Sequence, residues 1–316
     1  WVHDWSPFVF EFANGFGIRW YGLSYVLAFV VAYLMLRWLS RNGYSQLQPG
    51  QVGDFVAGLA FFGVLAGGRL GYMLFYDFGE FVRAPWIIFR IWDGGMASHG
   101  GILGVALFAL YYARRHHLSW RGLGDNLVAV APLGLFFGRM ANFINGELYG
   151  RVTDVPWGVK FPKALYGDAP PAAFAAAMQA AREVRPSIAA PAQLVDAVYA
   201  DAAVREAVAP FLALRHPSQI YEALLEGLLP FVVLLAMRLR WKHLRHGILT
   251  GVFFIGYAVL RIIGEMFRQP DAALTWGLTR GQFLSLFMIV VGVLFLAIGG
   301  RDGGVKRPAR GSESAR

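Results

Sequence analysis

The sequence has no cysteine and few charged residues. Of 316 residues none is Cys, and Asp, Glu, Lys and Arg together make up 16%, against 57% hydrophobic residues. The missing cysteine excludes disulfides, thiolate metal ligands and a cysteine nucleophile belonging to the chain. The low charge excludes a disordered chain or a coiled coil, and it lies well below the roughly 25% of soluble domains. With a mean hydropathy of +0.47, the composition predicts a polytopic membrane protein.

Seven apolar runs are long enough to cross the hydrocarbon core of a bilayer, which takes about 20 helical residues. They predict an all-α membrane protein with seven transmembrane helices, at residues 18–38, 52–76, 94–114, 123–143, 219–239, 247–267 and 281–300. The first run does not resemble a cleavable signal peptide, since it has no basic segment before it and no small-residue cleavage site after it. Because the sequence begins with Trp1, we expect its natural start to have been trimmed.

One long segment between the fourth and fifth runs is too polar to span. It contains two Ala-rich stretches bracketed by prolines, which predict short helices in a small extracytoplasmic head. The end of the chain is rich in Gly, Arg and Ser, which is typical of disorder. The predicted division is the first four transmembrane helices in residues 1–144, a periplasmic head in 145–218, the last three transmembrane helices in 219–300 and a disordered cytoplasmic tail in 301–316.

Basic residues are unevenly divided between the two sides of the predicted bundle. Alternate loops and the tail carry 14 Lys and Arg, whereas the opposite short segments carry five. Because cytoplasmic loops are enriched in Lys and Arg, we predict the N-terminus outside and the C-terminus in the cytoplasm. This asymmetry and contact with anionic lipid head groups explain the net charge of +9 better than nucleic-acid binding does.

Ionisable residues inside the spans need a reason, because each costs roughly 2.5–3.5 kcal/mol on insertion. In the predicted orientation they fall in the outer leaflet, together with two polar neighbours. These residues are Tyr21, Arg69, His99, Arg139, Asn142, Glu222, Glu226, Arg261 and Glu265. Because six helices contribute to one level of the bundle, we predict a binding site there.

The three arginines of this set suit a phosphate group, since guanidinium groups bind phosphate oxygens through paired, charge-assisted hydrogen bonds. In the alternative interpretation, Arg261 and Glu265 neutralise each other across one helical turn, and the other arginines pair with Glu222 or Glu226. His99 is either a general acid or base, because imidazole titrates near neutrality, or a hydrogen-bonded packing residue.

Two other patterns bear on function. Segment 142–151 crowds polar groups where the fourth predicted helix meets the head, which is typical either of a helix C-cap with its turn or of part of a site. Gly122–Asp125 and Tyr76-Asp77 match the two short motifs of intramembrane aspartyl proteases. Asp125 and Asp77 are predicted at opposite faces of the membrane, so we do not expect them to form a catalytic pair.

Several motifs resemble those of one bacterial enzyme family. Trp92–Met96 followed by His99, Gly100 and Gly101, and Arg139 leading into segment 142–151, are similar to the motifs of the prolipoprotein diacylglyceryl transferases. Supporting matches lie at residues 20–23, 67–69, 216–222 and 261–271. The matches keep their order from the first predicted helix to the seventh. Only residues 165–210 and the tail have no counterpart.

The resemblance implies an enzyme of the bacterial cytoplasmic (inner) membrane that acts in lipoprotein biosynthesis. It implies transfer of the diacylglyceryl group of phosphatidylglycerol to a prolipoprotein, with the site toward the periplasmic leaflet. The acceptor is the thiol of the lipobox cysteine that follows the signal peptide, a thioether forms, and glycerol phosphate leaves. No metal and no other cofactor is implied. The absence of Cys in this chain is compatible, because the reacting thiol belongs to the substrate.

The resemblance also implies roles for individual residues. Arg139 binds the lipid phosphate, Arg261 holds it or stabilises its charge as it departs, and His99 matches the residue proposed as the base. Tyr21 and Glu265 complete the implied catalytic set. The implied substrate-binding set is Arg69, Gly100, Gly101, Arg139, Asn142, Glu147 and Gly150.

Two other classes of protein are alternatives to this interpretation. A transporter or flippase for an anionic lipid also uses intramembrane arginines, but it predicts polar residues in both leaflets and repeat symmetry. A receptor or assembly factor without enzymatic activity leaves the density of matched motifs unexplained.

Overall fold

The computed structural model describes residues 1–12, 17–90, 94–270, 274 and 276–298. Long helices dominate it. In chain order they are α1 (Trp20–Arg41), α2 (Gln51–Phe75), α3 (Ser98–Arg115), α4 (Trp120–Val128), α5 (Ala131–Ile144), α6 (Pro171–Val184), α7 (Pro191–Ala200), α8 (Ala202–Val208), α9 (Ser218–Arg240), α10 (Ile248–Glu265) and α11 (Arg280–Ile298). Shorter helical segments lie at Phe78–Arg83, Pro85–Phe89, Ala164–Gly167 and Ala209–Phe211.

Helices occupy all seven predicted runs, with their ends shifted by a few residues. Five of them, α1, α2, α9, α10 and α11, are long and apolar enough to cross a membrane, and α4 with α5 forms a sixth candidate bent by 41°. The bend follows from Pro132, which has no N–H to donate to the carbonyl of Val128. The third predicted span corresponds to α3, which carries His99 and two terminal arginines and is not among these candidates. The tail 301–316 and residues 299–300 lie outside the described residues.

Two short antiparallel sheets accompany the helices. β1 (Phe8–Glu11) pairs with β2 (Gly17–Arg19), and β3 (Val159–Lys160) pairs with β4 (Leu214–Arg215). The all-α prediction is therefore correct for the long helices and incomplete for the segments between them. The strands have two to four residues each, too few for a period-two pattern to stand out in the sequence.

Glycines bring α2 and α3 into direct backbone contact. A Cβ atom on Gly71 of α2 would lie 2.6 Å from the Cα of Gly100 on α3, and one on Gly67 would lie 2.9 Å from the Cα of Gly104. Real Cβ atoms do not come so close, so both helices require glycine along this seam. Small residues at such spacing let membrane helices pack by van der Waals contact, which replaces the missing hydrophobic driving force.

The Ala-rich stretches of the head form α6, α7 and α8, whose buried residues include Ala177, Leu194 and Val204. The first residues of the chain pack against this head. The N–H of His3 donates to the carbonyl of Lys160 at 2.8 Å, and His3 is fully buried. Burial lowers the pKa of its imidazole to about 4. The sequence had not indicated that the N-terminal segment contributes to the head.

A second buried polar group lies where α4, α9 and α10 meet, at the start of α10. The Asp125 carboxylate accepts hydrogen bonds from the N–H groups of Gly247 and Thr250 at 2.7 and 2.8 Å, and so caps α10. Arg238, one of the 14 basic residues counted in the predicted loops and tail, is instead a buried residue of α9 that donates to Asn126. Asp125 therefore has a structural role, and its resemblance to a protease motif carries no catalytic meaning.

Candidate active site

Ion pairs join α5, α9 and α10 inside the bundle. The Nε of Arg139 on α5 lies 2.9 Å from Glu222 Oε2, and its Nη2 lies 3.3 Å from Glu226 Oε2. The Nη1 of Arg261 on α10 lies 2.8 Å from Glu226 Oε1 and 3.5 Å from Glu222 Oε2. Two arginines that the sequence singled out therefore share two carboxylates of α9.

The course of α9 explains how its two carboxylates reach the same arginines. Residues Ala223–Leu228 form wide π-helical turns, which are rare and often occur at functional sites. At Gly227 the helix touches α5 directly, since a Cβ there would lie 2.7 Å from the Cα of Phe136. This close approach brings Arg139, less than one turn beyond Phe136, within reach of Glu222 and Glu226.

Two more ion pairs extend the group. Arg261 Nη2 bonds to Glu265, which lies one turn further along α10. Just beyond the end of α10, Arg268 Nη1 lies 3.3 Å from Glu222 Oε2. We call the resulting set the ionic cluster. It comprises Arg139, Glu222, Glu226, Arg261, Glu265 and Arg268.

The ionic cluster is formally neutral, with three guanidiniums and three carboxylates. Glu222 and Glu226 are fully buried and Glu265 is nearly so. Pairing explains how so many charges are tolerated inside an apolar bundle, since an unpaired buried charge is far more costly. The alternative interpretation of mutual neutralisation therefore describes Arg139 and Arg261 as the structure has them.

Arg139 is the more accessible of these two arginines. Its side chain is 18% exposed, against 13% for Arg261. Its Nη1 has no hydrogen-bond partner among the residues that the structure describes. One edge of this guanidinium is thus not used by the ion pairs of the cluster.

Segment 142–151 lies beside the ionic cluster and links α5 to α9. Asn142 Nδ2 donates to Glu147 Oε1 at 2.9 Å, and the Glu147 carbonyl accepts from Gln219 Nε2 at 2.7 Å. The chain turns at Gly146, which has a φ of +62° that favours glycine. The segment is therefore a helix C-cap with its turn, as one interpretation predicted, and it also presents a carboxylate held by Asn142.

Gly150 is enclosed by backbone on two sides. Its N–H donates to the His216 carbonyl at 2.9 Å, and its own carbonyl accepts from Arg215 at 3.1 Å. A Cβ at this position would lie 2.6 Å from the Phe267 carbonyl oxygen. The glycine therefore serves the close approach of three chain segments, and the substrate-binding role implied for it stays a prediction.

Tyr21 stands at the start of α1, and its ring packs edge-on against Tyr25 with centroids 5.4 Å apart. The helices α1 and α5 pack against each other. We call Tyr21, Asn142, Glu147 and the ionic cluster together the polar region of the bundle.

Arg69 is held by backbone carbonyls of the segment between α2 and α3. Its guanidinium donates to Ile87 at 2.6 Å, to Arg90 at 3.0 Å and to Gly95 at 3.1 Å, and it also bonds to Gly94. Neither carboxylate of α9 pairs with it among the described residues. The geometry gives Arg69 a role in fixing this segment, and its predicted role in binding substrate has no support from these contacts. Trp92 and Asp93 of the matched motif lie outside the described residues.

His99 is exposed near the start of α3 and makes no hydrogen bond or ion pair with another described residue. It does not touch the ionic cluster. The two glycines that follow His99 differ in their packing. Gly100 contacts the backbone of α2, whereas Gly101 has room for a side chain. The substrate-binding role implied for both glycines stays a prediction. Whether His99 acts as a base stays a prediction.

Two members of the polar region were missed from the sequence. The Tyr257 hydroxyl donates to Glu226 Oε2 at 3.1 Å, and Arg268 pairs with Glu222. Tyr257, Arg261 and Glu265 follow one another at four-residue intervals, so a helical-face analysis of α10 finds Tyr257. Arg268 lies beyond the helix, and that periodicity does not reach it. Within the described chain, no group of three His, Cys, Asp or Glu residues has a geometry that could hold a metal ion.

Long apolar helices around a buried group of arginines and glutamates define a polytopic membrane protein with a polar site in its bundle. The sequence matches the family "Prolipoprotein diacylglyceryl transferase" over residues 7–298. The chain belongs to this family.

Similar proteins with closely matching lengths support the assignment. One is the phosphatidylglycerol–prolipoprotein diacylglyceryl transferase of Bdellovibrio bacteriovorus, 38% identical over 97% of this chain and 96% of the relative. A protein of the same name from Idiomarina loihiensis is 38% identical over 92% of each chain. Another, from Legionella pneumophila, is 37% identical over 87% of this chain and 90% of its own length.

Proposed function

We propose that this protein transfers the diacylglyceryl group of phosphatidylglycerol to a prolipoprotein. The family assignment supports the reaction, and the pair of arginines that converges from α5 and α10 carries the proposal at the level of the site. A phosphodiester needs cationic hydrogen-bond donors where the surroundings are otherwise apolar, and its acyl chains need lipid-facing surfaces. The bundle offers both, since the exposed apolar residues Val259 and Ile263 flank Arg261 on α10.

The proposed placement has seven spans, with the N-terminus and head in the periplasm and the C-terminus in the cytoplasm. The basic residues of alternate loops and the tail still outnumber the five on the opposite side when Arg238, which is buried in α9, is left out of the count, and this excess supports the orientation. In this proposal α3 is the remaining span, because its glycine seam with α2 keeps it in the bundle. The ionic cluster then lies toward the periplasmic leaflet, since α9 begins and α10 ends beside it.

In the proposed reaction, the sulfur of the lipobox cysteine forms a bond to the glyceryl carbon that carries the phosphate. The bond between this carbon and the phosphate oxygen breaks, and glycerol phosphate leaves. Arg139 and Arg261 hold the phosphate and stabilise the charge on the departing oxygen. Displacement requires the sulfur, carbon and leaving oxygen in line, so fixed guanidiniums also orient the bond that breaks.

The acceptor must lose a proton to become reactive. A free thiol has a pKa near 8.5, so a base or a positive potential must favour the thiolate. His99 is the proposed base, and its exposed imidazole, free of partners within the described residues, is open to an incoming peptide. The proton lost by the thiol balances the one gained as glycerol phosphate is released into water.

Mass spectrometry of a lipobox peptide tests this function. We expect purified full-length protein, mixed with phosphatidylglycerol, to increase the peptide mass by one diacylglyceryl unit. Alkylation of the peptide thiol should abolish the gain. Arg139→Ala should abolish the mass gain as well. Arg114→Ala, which changes an exposed arginine at the C-terminal end of α3, should leave the gain intact.

Folded wild-type protein that yields no such product with several anionic lipids would contradict the proposal. A lipid transporter would then become the leading interpretation. A binding assay with Arg139→Ala separates loss of lipid binding from loss of the chemical step.

A further inference from the structure

Glu226 bridges the two arginines that we propose to hold the lipid phosphate. Its Oε1 lies 2.8 Å from Arg261 Nη1, and its Oε2 lies 3.3 Å from Arg139 Nη2. One anionic group with two oxygens thus spans the facing guanidiniums of α5 and α10. A phosphodiester bridging these nitrogens would need the same position, because guanidinium binds carboxylate and phosphate oxygens in the same geometry.

The three carboxylates of the ionic cluster differ in the cationic partners that they would keep if a phosphate took the position of Glu226. Glu222 retains Arg268, at 3.3 Å. Glu265 bonds to Nη2 of Arg261, which is not the nitrogen that Glu226 contacts. Only Glu226 loses both of its cationic partners, among the contacts that the structure describes. The remaining hydrogen-bond partner of Glu226 among these described contacts is the Tyr257 hydroxyl, at 3.1 Å.

Charge balance decides what happens to the displaced carboxylate. Among the described residues, Glu226 contacts Arg139 from α5 and Tyr257 and Arg261 from α10. Two further carboxylates share these arginines, Glu222 from α9 itself and Glu265 from α10. Counted over the six members that the structure describes, the cluster is neutral before the lipid binds, so an added phosphate leaves these groups with one negative charge too many. An uncompensated charge in a buried site is costly, and uptake of a proton removes it.

We propose that Glu226 occupies the place of the lipid phosphate in the free protein and takes up one proton when the phosphate displaces it. This inference rests on the proposed function. Three guanidiniums and three carboxylates become three guanidiniums, two carboxylates, one carboxylic acid and one phosphate, and the formal charge stays at zero. The proton comes from solvent, and no covalent bond other than the O–H of the acid forms. Glu226 is thus a positioning residue that sets the pH dependence of lipid binding.

Calorimetry without an acceptor peptide tests the proposal, since no transfer then takes place. Phosphatidylglycerol is titrated into the full-length protein in neutral detergent at pH 7.5, in two buffers with different ionisation enthalpies. The difference in heat gives the number of protons taken up. For the wild type we expect about one proton per lipid bound, and an apparent Kd that rises about tenfold per pH unit.

Glu226→Gln should bind the lipid with no proton uptake and with little pH dependence. Glu183→Gln, a change at an exposed position of α6, is the matched control and should behave as the wild type does. Uptake of one proton by Glu226→Gln would overturn the assignment to this residue.

The wild-type measurement decides the proposal even if the Glu226 variant does not fold. Lipid binding without proton uptake would overturn this inference and leave the proposed function intact. Absence of lipid binding by folded wild-type protein would overturn both.

Discussion

Replacement of Glu222 by Gln should destabilise the protein severely, because this residue joins three arginines. The fully buried carboxylate of Glu222 lies 2.9 Å from Arg139, 3.5 Å from Arg261 and 3.3 Å from Arg268. Glu222→Gln keeps the shape of the side chain and leaves three guanidiniums with two carboxylates. Removal of one partner from a buried ion pair costs about 3–5 kcal/mol.

A loss of this size should be visible in thermal unfolding. At roughly 2–4 °C per kcal/mol, the value for domains of 150–250 residues, the Tm should fall by on the order of 10 °C. The assay follows intrinsic tryptophan fluorescence of the purified protein in one detergent during heating. Higher salt should not restore the Tm, because buried pairs are weakly screened.

The control is Glu183→Gln on α6, where the carboxylate is exposed and accepts one hydrogen bond from Gln179. It should shift the Tm very little. A Glu222→Gln protein that melts together with this control would refute the reasoning that the ionic cluster depends on its charge balance.

Three further predictions concern the parts of the fold that support the site. Gly71→Val should force α2 and α3 apart and lower thermal stability by about 1–3 kcal/mol, whereas Gly101→Ala, which has room for a methyl group, should have little effect. Burial lowers the pKa of His3 to about 4 in the folded protein, so the unfolded chain binds more protons than the folded one between pH 6.5 and 4. The stability should therefore fall as the pH drops through this range. In measurements of Tm against pH, His3→Gln should remove part of this dependence, whereas the exposed-site control His243→Gln should not. Asp125→Ala should uncap α10 and reduce stability by about 1–2 kcal/mol, measured by the same thermal unfolding; a Tm equal to that of the wild type would contradict the capping role.

The positions of the long helices could be predicted from hydrophobicity because the bilayer selects apolar runs of one length. The bend between α4 and α5 was not predicted, although Pro132 contains the signal. The pairing of the first residues with Lys160 could not be predicted, because it is a contact over a long sequence distance without a local pattern. Short strands such as β3 and β4 escape sequence analysis for the same reason.

The candidate site was predictable to the extent that charge inside a span is costly. That cost singled out Arg139, Arg261 and the glutamates of α9 from the sequence alone. It could not distinguish Arg69, which looks equivalent in sequence but is satisfied by backbone carbonyls. Partner choice depends on which helix faces lie together, and hydropathy does not contain this information. The role implied for His99 as a base rests on the family resemblance and not on its exposed position.

Structure determination of the protein bound to phosphatidylglycerol in a lipid nanodisc tests the central claim most directly. The account predicts a phosphate within hydrogen-bond distance of Arg139 Nη2 and Arg261 Nη1, with Glu226 moved away from the position between them. A phosphatidylglycerol phosphate bound elsewhere, with the ion pairs of Glu226 intact, would contradict it.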